Sequence, residues 1–326
     1  MTGRVLISIL GLCLLSAPGV AQERRTLPAA PSQVTDRAEL WVDPIDLPSR
    51  NFFNGPWGAE RAPDPTAIYT YVKPKTGGIN PGMTVRDPAG RQWKVKQPPQ
   101  TGRGAEGPIE VVLSRVLSGI GYHQPPVYYL PSFRLTRGGG GAERVDGGRF
   151  RLSLKNLKER DEWSWTENPY AGTRELNGLL VILMMFNSSD LKNSNNSLYE
   201  YTPPGAEQSL RWFVVRDLGT ALGSTARLTP LRGNLKAFER LGFIKYVEGG
   251  YVVFEYHGRH QELFDHRITP DDVVWAARLL DRVSTTQWAD AFRAGGYAPD
   301  VSIRFITRLK EKIADGLALE HLTGRD

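Results

Sequence analysis

Asp190-Leu191-Lys192-Asn193-Ser194-Asn195 and Trp212-Phe213-Val214-Val215-Arg216-Asp217-Leu218-Gly219 are the stretches on which the reading of this chain turns. The first sets an acid, then an amide five residues on, directly behind Thr173 to Asn187. That preceding segment is apolar nearly all round, which predicts a helix buried at the centre of a lobe. The second stretch is a run of strand-forming residues that ends on an acid followed by leucine and glycine. An acid at the end of a buried strand, with glycine close behind, is placed to hold a magnesium ion against phosphate oxygens. Alone, the first pattern has an ordinary alternative, an Asx-rich loop capping a helix. The strand that follows gives it weight.

Phosphoryl transfer needs a cation on the phosphates, a group to orient that cation, metal ligands and a carboxylate near the attacking hydroxyl. The chain offers these in one order. Trp93-Lys94-Val95-Lys96 puts two lysines on one face of a strand, because side chains there repeat every second residue. Lys96, nearer the strand end, is the better placed to reach phosphates, with Lys94 as the second candidate. Glu110, expected in the first turn of the next helix, is the partner that would hold Lys96. A solvated strand face and a favourable N-terminal helix charge are the alternatives for the lysines and for Glu110. Gly77 and Gly78, in the turn Thr76 to Gly82, could lend backbone amides to phosphates. Their spacing also suits a plain hairpin loop.

Around these residues the pattern predicts strands over Ala67 to Val72, Met83 to Arg86 and Arg91 to Lys96, making an antiparallel sheet. A helix opens at Pro108 and stops at Gly121, with Ile109, Val112, Leu113, Val116, Leu117 and Ile120 at helical spacing. Two more strands are expected over Val127 to Leu135 and Arg149 to Leu154, separated by a loop containing Gly138 to Gly141. The second half turns helical, with amphipathic spacing over Pro270 to Leu280, Thr286 to Ala294 and Val301 to Leu317 and a short strand over Tyr251 to Tyr256. Residues Leu27 to Thr66 carry seven of the 23 prolines among scattered aromatics and read as an extended arm.

At the N-terminus, Val5 to Ala17 is an apolar run behind Arg4, with Gly19-Val20-Ala21 where a signal peptidase would cut. The run is short for a membrane span. The expected organisation is therefore a signal peptide over 1–21, a Pro-rich arm over 22–66, a β-rich lobe over 67–156 and a helical lobe over 157–326. A periplasmic or secreted location follows, with no transmembrane span after signal removal. Leu10-Gly11-Leu12-Cys13 resembles a lipoprotein cleavage box only loosely. Cys13 is the lone cysteine, so a processed chain would lack disulfides, thiolate metal sites and cysteine nucleophiles. The net charge of +6 is a mild excess and does not indicate nucleic-acid binding.

Taken together, Trp93-Lys94-Val95-Lys96, Glu110, Gly172-Thr173-Arg174-Glu175-Leu176-Asn177-Gly178, Asp190 to Asn196 and Asp217-Leu218-Gly219 resemble the protein kinase-like superfamily. The similarity lies near its phosphoinositide-kinase-like and spore-coat-kinase-like groups, in a bacterial secreted branch, and runs from about Ala67 to the C-terminus in the right motif order. It implies an α+β, two-lobed fold, with an antiparallel sheet and one helix in the first lobe and a mainly helical second lobe. It implies ATP with Mg or Mn as cofactors, Lys96 on the phosphates, Glu110 pairing with Lys96, Asp190 as the catalytic acid, and Asn195 and Asp217 on the metal. Ser188-Ser189 stands where protein kinases carry His-Arg, Leu218 replaces Phe, and no Ala-Pro-Glu anchor follows. These departures bear on ordinary protein-kinase activity more than on the fold.

Three functions are compatible with that set. One is phosphoryl transfer from ATP to an unknown protein, peptide or small-molecule acceptor. A second is a kinase-like binding or scaffold protein without turnover, which the scarcity of ATP outside the cytoplasm favours. The third is transfer of AMP from a reversed nucleotide. Thr220 to Lys236, with Arg227, Arg232 and Lys236, reads as a basic segment or solvated loop beside the metal site, and Trp163-Ser164-Trp165 as core packing before a substrate surface. His257, His260, Asp265 and His266 lack a zincin spacing, and no Gly-x-Ser-x-Gly elbow supports a serine hydrolase.

Overall fold

Alternation of apolar and polar residues builds the N-terminal half of this computed structural model, which describes residues 36–76, 80–98, 106–226 and 231–323. Strands β1 (Ile68–Pro74), β2 (Gly82–Arg86), β3 (Gln92–Lys96), β4 (Val127–Thr136) and β5 (Glu143–Leu152) close into a barrel in the order β1-β2-β3-β5-β4. Its interior is filled by Tyr69, Val85, Trp93, Val95, Phe133 and Phe150 among others. The residues between them point outward, so Lys94 and Lys96 leave the barrel on its outer face.

The expected sheet was antiparallel, and here the structure adds a parallel pairing that closes it. Four pairings are antiparallel, but β1 also pairs in parallel with β4, Ile68 opposite Arg134 and Thr70 opposite Thr136. Closure removes both free edges. It joins strands far apart in sequence and so leaves no local signature. β5 also begins at Glu143, before the expected Arg149, because its first residues are polar and exposed.

Helix α1 (Glu106–Gly119) lies against β4 and β5. It is enclosed almost all round, with Ser114 and Arg115 buried beside the apolar residues. The helix was expected from its apolar spacing; the barrel on one side and the main helical core on the other bury it from both. Pro108 falls near its start, where the missing N–H is one the helix would leave unbonded. Glu110 is consequently the fifth helical residue, past the expected first turn.

The main core is helical. α2 (Arg174–Met185) is capped by Thr173, whose side chain accepts from Leu176 N, and is buried on nearly every face, as expected. α4 (Pro270–Asp281) packs on α2 and on α6 (Pro299–Leu317), and α5 (Thr285–Ala294) bridges α6 and α1. Thr269 with Asp272, and Ser284 with Gln287, form reciprocal caps that start α4 and α5. Beside the helices lie a three-stranded sheet, β6 (Leu157–Asp161), β7 (Asn196–Tyr201) and β8 (Leu210–Val215), short helix α3 (Leu235–Arg240), and hairpin β9 (Ile244–Glu248) with β10 (Tyr251–Phe254). No helix among the described residues is long and apolar enough to cross a membrane.

Residues 36–66 hold short 3-10 turns at Arg37–Glu39, Leu47–Ser49 and Ala59–Arg61. Leu40, Trp41, Leu47 and Phe52 are buried in the main core. Trp41 Nε1 donates to Ile120 O at 2.8 Å, and Gln287 Nε2 donates to Leu47 O at 2.7 Å. The described part of the arm is therefore anchored by its apolar side chains and its backbone carbonyls. The expected signal peptide and the start of the arm lie outside the described residues.

Candidate active site

Lys96, at the end of β3, is the centre of a buried charge cluster. Its ammonium lies 2.8 Å from Glu106 Oε2, 3.5 Å from Glu110 Oε2 and 3.3 Å from Asp217 Oδ1. The lysine and both glutamates are buried, while the Asp217 side chain is 47% exposed. Three of the expected residues, Lys96, Glu110 and Asp217, thus meet at one ammonium although the last is 121 residues from the first.

The pairing differs from expectation in one respect. The carboxylate nearest Lys96 belongs to Glu106, which also hydrogen-bonds Asn80 and pairs with Arg232. Glu110, one helical turn further on, leans instead toward Arg149, with Arg149 Nε 3.0 Å from Glu110 Oε1. Arg149 stands directly opposite Lys96 in the β3–β5 ladder, so the two cations share the barrel's outer face. The Arg149–Glu110 contact is an ion pair without hydrogen-bond geometry, which leaves Arg149 Nε and Nη1 buried and unbonded. With Nε facing Glu110, Nη1 is the donor left for an anion. Sequence reasoning missed Glu106 and Arg149. The available signal for the first was the four-residue spacing of Glu106 and Glu110, which sets both on one helix face.

Asp217 terminates β8 in a left-handed conformation, φ 49°, which aspartate tolerates better than branched residues. Leu218 behind it is buried in the main core, and Gly219 lies so close to α1 that a side chain there would meet Glu106. Burial would raise the Asp217 carboxyl, but Lys96, Arg216 and Arg149 outweigh it and hold the group below the usual carboxylate range. It is ionised at neutral pH.

Asn195 reaches the same corner through the backbone. Its carbonyl accepts from Arg216 N at 2.8 Å, so it sits beside the residue that precedes Asp217. Its Nδ2 donates to Asp190 O at 2.6 Å, closing the loop over the span the motif predicts. Ser189 N and Oγ both donate to Thr220 O, at 3.1 and 3.2 Å, and Leu222 N donates to Phe186 O at 2.8 Å. The loop carrying Asp190 is thereby stitched to the segment that follows Asp217. The Asp190 carboxylate itself contacts Lys192 at 3.1 Å, outside the Lys96 cluster, and is partly exposed.

The remaining candidates separate. Lys94 is exposed, with Arg151, Glu159, Arg216 and Arg149 as its charged neighbours; burial is the main cause of its lowered pKa, with Arg151 next. Gly77 and Gly78 lie outside the described residues, as does Arg227. Trp163 and Trp165 are core residues, as expected. Asn193 anchors them by accepting from Trp165 N at 3.1 Å. His260 pairs with Glu262 at 3.0 Å, and His266 packs edge-on to Tyr251.

Among the described residues no group of three or more His, Cys, Asp or Glu converges on a metal position. The Asp217 carboxylate and the Asn195 amide, on segments joined by the Arg216 N to Asn195 O hydrogen bond, carry hard oxygen donors. Such a pair suits magnesium, which keeps waters and takes much of its shell from substrate phosphates. The residues fit that ion and do not make a self-sufficient cage.

No protein-family model and no curated protein matches the chain. Among solved structures, the chain is similar to the proinflammatory kinase CtkA of Helicobacter pylori, at 12% identity and a TM-score of 0.49, over 80% of this chain and 100% of that one. It is also similar to the Rio2 kinase of Chaetomium thermophilum in its ADP/Mg2+-phosphoaspartate complex, at 13% identity and a TM-score of 0.30, over 77% of this chain and 72% of that one.

Proposed function

We propose that the chain is a kinase-like phosphotransferase that binds ATP with Mg or Mn and passes a phosphoryl group to a hydroxyl acceptor. The observation that supports this most is the convergence of Lys96, Glu110 and Asp217 at one ammonium from three distant elements. In this reading the barrel and α1 form the nucleotide-side lobe of a two-lobed kinase-like arrangement, and the helical core with the Asp190 loop forms the other. Lys96 and Arg149 face the phosphate oxygens, and Glu106 and Glu110 hold the two cations in place. Asp217 and Asn195 hold the divalent ion, which offsets phosphate charge when bound. Asp190, partly exposed, receives the acceptor's proton. The acceptor is a protein, peptide or small molecule, and the apolar run Val5 to Ala17 supports a periplasmic or secreted location as part of this reading.

A binding or scaffold role without turnover is the second reading. It is favoured by the pairing of the Asp190 carboxylate with Lys192. Thermal melts with and without Mg-ATP test the nucleotide site. At a hundredfold excess over Kd the linkage is worth about 2.7 kcal/mol, which moves the melting temperature by a few degrees. The wild type should show that shift and Asp217→Ala should not. Equal shifts in both would mean that Asp217 holds no metal and that the site is misassigned. Intact mass of protein and candidate acceptors then separates added phosphate, added AMP and no transfer.

A further inference from the structure

At the end of α1 remote from Lys96, a cavity of about 600 Å³ lies between the 50–61 segment, the last turn of α1 and the aromatic residues of β7 and β8. It falls within the size range of small-molecule sites. One of its lining residues, Arg115, is only 2% exposed. Its Nε donates to Phe53 O at 3.0 Å, one Nη donates to Val127 O at 2.7 Å, and its guanidinium lies over the Tyr128 ring at 4.9 Å. No carboxylate among the described residues pairs with it.

The second Nη of Arg115 has no hydrogen-bond partner among the described residues, and it faces Gly55, on the cavity wall. A Cβ on Gly55 would sit 2.9 Å from that nitrogen. Burial lowers the Arg115 pKa to about 10, so the group is still charged at neutral pH. A buried cation held only by neutral groups is an electrostatic deficit that an anion would relieve.

Aromatic side chains line the cavity as well. Trp212 is stacked by His123 at 4.4 Å and packed by Tyr201 at 4.3 Å, and Trp57 stands edge-on to both Tyr201 and Trp212. Trp57 is held in place by its Nε1 donating to Gln124 O at 2.9 Å, and Arg61 lies 5.7 Å over its ring. Of the two acids on the wall, Asp46 is taken by Arg50 at 2.7 Å, and Glu60 is exposed. A buried guanidinium, a second cation in Arg61 and an aromatic lining are complementary to a ring bearing a negative charge.

We propose that this cavity is a binding site for a small planar aromatic anion, its ring among the aromatic side chains that line it, Trp57 included, and its charge on Arg115 and Arg61. The site is independent of the nucleotide reading. Calorimetric titration of the full chain with 2-naphthoate, 2-naphthyl phosphate and 2-naphthylmethylamine tests it. At least one of the two anions should saturate at millimolar concentration or below, and the amine should bind at least about tenfold more weakly. Arg61→Ser should weaken the anion roughly fivefold without lowering the melting temperature, and Trp57→Leu should weaken anion and amine alike. Arg115→Met should abolish anion binding; should that variant fail to fold, the other two carry the test. The proposal is overturned if neither anion saturates, if the amine binds as tightly, or if Arg61→Ser and Trp57→Leu leave anion affinity unchanged.

Discussion

Lys312 is fully enclosed, and its ammonium donates to Met185 O at 3.1 Å and to Asn187 Oδ1 at 2.6 Å. Asn187, left-handed at φ 54°, in turn donates to Gly223 O at 2.7 Å. One lysine therefore braces the turn between α2 and the Asp190 loop. Burial, then Arg308, push its pKa down to about 7, against smaller raising effects of Asp315 and Glu255. Its ordinary value is 10.5, so between about pH 7 and 10.5 the unfolded chain binds a proton that the folded chain does not. Stability attributable to this group accordingly rises with pH across that window. Below it the folded protein carries the full cost of a buried charge. Melting curves of wild type and Lys312→Met at pH 6 and pH 9 should show the advantage of the wild type growing at the higher pH. A difference independent of pH would show that Lys312 titrates normally.

Among the elements, the approach of the β8 end to the start of α1 decides whether the charge cluster can form. Gly219 permits it: a Cβ there would come 2.5 Å from Glu106 Cβ and 2.9 Å from Glu106 O. Both contacts are too short for real atoms, and one is backbone. Gly219→Ala must therefore push α1 away from Asp217 or twist the turn, at a cost of about 1–3 kcal/mol. Gly141, in the β4–β5 loop, has open space around it. Gly141→Ala should stay within about 0.5 kcal/mol of wild type. Urea unfolding of the two variants checks the pair; equal stability would mean that α1 and the Asp-Leu-Gly turn are not closely packed.

At the scale of the whole molecule, the residues before the barrel act as part of the core. Phe52 is 1% exposed, and its ring occupies the space a side chain on Gly119 would need. Truncation by Phe52→Ala should cost about 3–5 kcal/mol, as for other buried aromatics. A loss below about 0.5 kcal/mol in chemical denaturation would mark this segment as a loosely attached strap. The same segment holds α5 through Gln287 and walls the cavity beside Arg115, so the helical core and that cavity depend on one stretch of chain.

Periodicity and end signals in the sequence were enough for the helices that carry the core and for the barrel strands, because burial on one or both faces is written locally. They also pointed to Lys96, Glu110 and Asp217, three residues that the fold brings to one ammonium. Strand β6 escaped notice because four of its five residues are charged and exposed, and α3 because six residues are too few for a period. Barrel closure, the opposition of Lys96 and Arg149, and the precedence of Glu106 over Glu110 are different in kind. They depend on which strands pair, in what register, and on where a helix begins relative to a neighbour. Those distances arise between segments far apart in the chain, and only packing sets them.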